Sequence, residues 1–129
     1  MSKINSFEEI LSWQSARVLN DKIYKWINRK PFSSDFELKR QINGSCGSVM
    51  DNIAEGFERG GNKEFINFLI IAKGSAGEVR SQLYRAYDRK YLSIQEFEEA
   101  VDQIKSISRQ IKGLIDYLKK AEIKGERYK

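Results

Sequence analysis

Ser48-Val49-Met50-Asp51-Asn52-Ile53-Ala54-Glu55-Gly56-Phe57-Glu58-Arg59 runs directly into Gly60-Gly61 and then Asn62-Lys63-Glu64-Phe65. Val49, Ile53 and Phe57 recur at helical spacing, a glycine pair stops the run, and Asn62 is placed to cap a new helix. Two helices joined by so short a connection must pack antiparallel. That hairpin restricts the chain to helix-on-helix architectures.

The same periodicity extends both ways. Ser6-Phe7-Glu8-Glu9, Ser34-Asp35-Phe36-Glu37 and Ser93-Ile94-Gln95-Glu96 each have the form of a capping box, a hydroxyl followed three residues later by a carboxylate. They predict an all-α chain with four helices at about 7–30, 35–59, 63–90 and 94–121, each about 25 residues or roughly 38 Å long. Pro31 ends the first, and residues 1–5 and 122–129 are expected to fray. Equal lengths and short connections predict an antiparallel up-down-up-down four-helix bundle forming one domain over 1–129.

Composition removes whole classes of function. The 129 residues include no histidine and a single cysteine, Cys46, so zinc, haem and nucleophile–histidine chemistry lack their usual ligands. No metal, cofactor or catalytic residue is therefore expected, and the reading is non-enzymatic. No run reaches the roughly 20 apolar residues that a bilayer span needs. The start of the chain has no apolar signal core, which together with the lone cysteine gives a cytoplasmic expectation.

An internal echo bears on packing. Gly44-Ser45-Cys46-Gly47-Ser48-Val49 resembles Gly74-Ser75-Ala76-Gly77-Glu78-Val79, and both lie about equally far from the Gly60-Gly61 turn. Side by side in a hairpin, the glycines would let the two helix backbones approach closely. A phosphate cradle is the other reading, but it needs a loop ahead of a helix N-terminus.

Charge is modestly basic: 23 Lys and Arg against 18 Asp and Glu give +5. Helix dipoles account for much of the pattern, with cations ending helices 1 and 3 and acids opening helices 2 and 4. Two stripes exceed it: Lys105, Arg109, Lys112 and Lys119 on helix 4, and Lys22, Lys25 and Arg29 on helix 1. Neighbouring helices would allow them to share one phosphate-binding surface, the alternative being ordinary solvated faces. Glu55 and Glu78 are read as partners for Arg59, Arg80 or a neighbouring subunit rather than as metal ligands. Trp13, Tyr84, Tyr87 and Tyr91 are hard to bury together in one small bundle and are candidates for an oligomer interface.

The elements Asn52-Ile53-Ala54-Glu55-Gly56, Arg59, Lys63-Glu64-Phe65, Phe68-Leu69, Gly74-Ser75 and Glu78, with the early Trp13-Gln14, resemble the family of 23S rRNA intervening-sequence proteins. The resemblance spans nearly the whole chain. It implies a small bacterial, ribosomal-protein-like four-helix bundle that assembles into rings of five, some members being encoded within insertions in large-subunit rRNA genes. A related branch, the accessory proteins of diversity-generating retroelements, binds a reverse transcriptase and nucleic acid. Family members often carry a basic pair after a Gln-Ile step in helix 2, where this chain has Asn43-Gly44 after Gln41-Ile42. The combined expectation is a self-associating bundle that presents a basic surface to RNA, DNA or a nucleic-acid enzyme. The alternative is a protein–protein adaptor with no nucleic-acid role.

Overall fold

A computed structural model describes residues 4–125. Helices α1 (Leu11–Ile27), α2 (Phe36–Glu58), α3 (Asn62–Asp88) and α4 (Ile94–Ile123) follow in order, with 3-10 turns at Phe7–Glu9 and Phe32–Ser34. There is no strand among the described residues. Each helix packs against its sequence neighbour and α1 also packs against α4, which closes the antiparallel up-down-up-down bundle. Residues 1–3 and 126–129, parts of the ends expected to fray, lie outside the described residues; α4 itself continues to Ile123.

The predicted stripes form the core. Leu19 and Ile23 from α1, Leu38, Ile42 and Ile53 from α2, Phe65, Leu69 and Leu83 from α3, and Ile104, Ile107, Ile111 and Leu118 from α4 are all essentially sealed from solvent. Each such side chain stabilises the fold by about 1.5–3 kcal/mol relative to exposure. No helix of the described residues is long and apolar enough to cross a membrane.

Three of the four predicted caps differ from expectation. At Ser6 the hydroxyl makes no capping bond; a short 3-10 turn forms instead, and α1 begins only at Leu11. The break lets Phe7 pack edge-on against Trp13, 5.1 Å between ring centres, while Ile10 is buried. Consequently α1 has 17 residues against 30 in α4, so the helices are not of equal length. At the second site Asp35, not Ser34, caps α2 by accepting from the Leu38 amide, because Ser34 is taken up by a 3-10 turn. Gly61 occupies the cap position of α3, displacing Asn62 into the helix, where it is buried. The Ser93–Glu96 box forms as expected, with both reciprocal hydrogen bonds.

Candidate nucleic-acid interface

The two basic stripes occupy different surroundings. Lys22 and Arg29 reach across to α4, where Lys22 pairs with Glu99 and Arg29 grips both carboxylate oxygens of Glu96 at 2.7 and 2.8 Å. The Arg29 hydrogen bonds, aided by the Ser93 amide, hold the Glu96 carboxyl down to about 2, and the same contact raises Arg29. Lys25 pairs with Asp21 on its own helix at 3.2 Å. All three cations of the α1 stripe are thus matched by carboxylates. Two of them clamp α1 to α4, a role that explains their position without any ligand.

On α4 the situation is reversed. Lys105, Arg109, Lys112 and Lys119 are exposed, and among the described residues only Lys112 has a carboxylate partner, Asp116 at 3.0 Å. Counting about 100° per residue, Lys119, Lys112 and Lys105 lie within about 80° of Phe97 around α4, and Arg109 lies further out towards solvent at about 120°. They are roughly opposite Glu96. Phe97 faces α3, where Tyr87 stacks on it at 4.4 Å and Tyr84 meets it edge-on at 4.9 Å. The α4 cations therefore border the α3–α4 groove, and the expectation of one surface shared with α1 is not met.

That groove gains two cations from its other wall. Lys73, Gly77, Arg80 and Tyr84 follow one another at helical spacing along α3, so Lys73 and Arg80 share the flank that Tyr84 presents to α4. Both are exposed and without a carboxylate partner among the described residues. The antiparallel register set by Tyr84 and Phe97 brings Arg80 level with Lys105 and Lys73 level with Arg109. Six cations thus share this side of the bundle with three acids of α4, Asp116, which pairs with Lys112, and the exposed Glu98 and Asp102. Sequence reading missed Lys73 and Arg80 because each is isolated along α3; only the register of α3 against α4 joins them to the stripe.

The motif residues form the latch of the α2–α3 hairpin. Asn52 donates from Nδ2 to the carbonyl and hydroxyl of Ser48, and Ser48 exchanges a 2.9 Å hydrogen bond with Ser75. Ile53 is in the core, and Ala54 is half-buried. Arg59 lies over the Phe68 ring at 5.0 Å while pairing with Glu55 at 2.7 Å and Glu64 at 3.8 Å. A Cβ added at Gly56 would come within 2.6 Å of the Phe68 Cβ and 3.0 Å of the Phe65 ring. Glu55 thus meets its expected partner, whereas Glu78 is exposed and unpaired among the described residues.

The close glycine packing expected of the echo does not occur. Ser48 and Ser75 do bring its two halves together, but added Cβ atoms at Gly44, Gly47, Gly74 or Gly77 would touch nothing within 4 Å. These four glycines are on outer faces. Cys46 is buried, which pushes its thiol up to about 12 and leaves it unreactive.

The interface aromatics are mostly engaged within the chain. Trp13 is half-buried between Phe7 and Arg17. Tyr91 stacks on Phe32 at 4.9 Å and donates its hydroxyl to Asp35 at 2.8 Å. This bond is the main cause holding the Asp35 carboxyl below its usual range, with the Leu38 amide and Arg89 adding to it. Tyr87 is half-buried, and Tyr84 alone of the four is classed as exposed, at 48%.

The geometry describes an antiparallel helical bundle with a latched α2–α3 hairpin and a cation-rich α3–α4 side. The chain belongs to the family of 23S rRNA-intervening sequence proteins, whose profile matches residues 8–113. A solved protein of unknown function from the S23 ribosomal protein family of Bacteroides thetaiotaomicron has the same fold: 22% identity, a TM-score of 0.74, 81% of this chain and 98% of the other covered. No curated protein matches the chain.

Proposed function

We propose that this chain is a non-enzymatic RNA-binding bundle that acts as a homo-oligomer, in keeping with the rings of five that the family resemblance implies. The observation that carries the reading is the α3–α4 side of the bundle, where Lys73, Arg80, Lys105, Arg109 and Lys119 gather and form no ion pair among the described residues. Aligned cations left unpaired repel one another, and a phosphate polymer relieves that repulsion while releasing its own counterions. RNA is the favoured polymer because the family is named for intervening sequences of 23S rRNA. Repetition round a ring would turn a moderate patch into a multivalent one. A reverse transcriptase or other protein that itself carries nucleic acid would be brought close to its substrate by the same surface.

Changing Lys105, Arg109 and Lys112 to glutamine is expected to weaken RNA binding across unrelated sequences. The slope of log affinity against log salt should fall by about 2–3 units. A charge-matched change at Lys25, Lys63 and Lys90, away from the groove, should alter both quantities far less. Equal losses from the two sets would mean attraction by net charge alone. Absence of binding by the parent at low salt would remove the RNA reading and favour a protein adaptor.

A further inference from the structure

Two of the most exposed large apolar side chains have no role in the groove or the latch. Tyr24 is 60% and Phe36 77% exposed, and they line one cleft of about 350 Å³ between α1 and α2 together with Asn28, Lys39, Arg40 and Asn43. Phe36, Arg40 and Asn43 recur at helical spacing on one flank of α2, and Asn28, the residue that caps the C-terminal end of α1, follows Tyr24 by one turn. Neither Lys39 nor Arg40 has a carboxylate partner among the described residues. The Asn28 amide is committed to the Tyr24 carbonyl at 2.8 Å, which leaves its side-chain oxygen to accept from a ligand. Folding gains little from two aromatic rings left in water beside two like charges.

We infer that this cleft takes an unpaired segment of a nucleic-acid strand, its bases stacked on Tyr24 and Phe36 and its phosphates held by Lys39 and Arg40. A single strand offers π-faces and negative charge in alternation, the complement of aromatic rings interleaved with cations. A duplex hides its base faces in its own stack and cannot use the rings. A second copy of this chain would have to bring carboxylates to both cations, since charges buried unpaired at an interface are strongly unfavourable. In the cyclic order of the helices the α1–α2 cleft lies across the bundle from the α3–α4 groove. The two surfaces would therefore select an RNA that presents a phosphate-rich segment to one side and unpaired bases to the other. The inference rests on the RNA-binding reading above and adds a preference for unpaired strands.

The test is fluorescence anisotropy with an unpaired pyrimidine RNA and with an RNA duplex carrying the same number of phosphates. Three proteins are compared: the parent, a Tyr24→Ala/Phe36→Ala variant, and the Lys105/Arg109/Lys112 glutamine variant. Loss of the two rings is expected to reduce affinity for the single strand by about tenfold or more, since each stacked base contributes appreciably, with duplex affinity unchanged. Tyr24→Phe with Phe36→Tyr, which keeps both rings, should retain single-strand binding. The glutamine variant should lose affinity for both ligands. Circular dichroism establishes that each variant is folded. If the Ala variant binds both RNAs as the parent does, or loses both equally, the cleft assignment is overturned and the groove reading stands. A drop in the Ala variant's mass by light scattering would reassign the cleft to a contact between copies, also overturning it. Failure of the parent to bind either RNA at low salt removes both readings.

Discussion

Among single residues, the glycines separate local space from sequence pattern. Gly56 faces Phe65 and Phe68 with no room for a methyl group, whereas Gly77 faces open space. Gly56→Ala is expected to lower stability by about 1–3 kcal/mol, because the α2–α3 hairpin must open or Phe68 must move. Gly77→Ala should leave stability unchanged or raise it by up to about 1 kcal/mol, the helix-propensity difference between the two residues. Urea melts of both variants check the pair, and a large loss at Gly77 would contradict the open face. Sequence reading placed the tight contact at the echo glycines because it had only spacing to judge by. Which face of a helix a glycine occupies depends on the packing of both helices. The Asn52–Gly56 and Arg59 elements were visible as a motif. Their physical role, an arginine spread over a phenylalanine and a glycine tucked beneath it, required Phe68 to be brought from the next helix.

Between elements, charge ties α1 to α4. Helix α1 is the shortest of the four, and the ties are Arg29–Glu96 and Lys22–Glu99. Glu96 in the fold titrates near 2 against an ordinary 4.5. A depressed carboxylate contributes stability that is present above its unfolded value and is lost as pH falls through the folded one. The window is therefore about pH 4.5 down to 2. The pair is partly exposed, so solvent screening limits its contribution to on the order of 1–3 kcal/mol. Glu96→Gln should lower stability at pH 7 and make the variant's loss between pH 4.5 and 2 shallower than the parent's, as read by thermal melts across that range. Parallel curves for the two proteins would show that Glu96 does not couple the helices. At this scale the sequence was informative where a signal is local: the Ser93–Glu96 box and the α2–α3 stop were read correctly. It misled where a distant residue competes, as at Ser6, where burial of Ile10 and the Phe7–Trp13 contact override a helical start. Lys22 and Arg29 were read as open to phosphate for want of distant information, since their acidic partners lie 77 and 67 residues away along the chain, whereas the partner of Lys25, Asp21, is one turn away.

For the molecule as a whole, charge and assembly pull against each other. Each chain carries +5, so the proposed closed ring would gather like charges that repel at low ionic strength. Apolar surface is the available counterweight: Leu11, Val18, Ile70 and Ile71 are all more than half exposed, and covering them would favour association. Screening weakens the repulsion as salt rises, since the Debye length shrinks from about 30 Å at 0.01 M to about 10 Å at 0.1 M, while apolar contact is not diminished. The RNA binding proposed for the α3–α4 groove would have the opposite dependence, because counterion release drives such binding most strongly at low salt. The ring of five that the family resemblance implies predicts a light-scattering mass of about five 15.0 kDa chains at micromolar concentration, with dissociation on dilution greater at low salt than at high. RNA affinity measured over the same salt range should fall. A mass of one chain at every ionic strength would defeat the ring, and assembly that weakens with salt would mean that ion pairs, not apolar faces, join the copies.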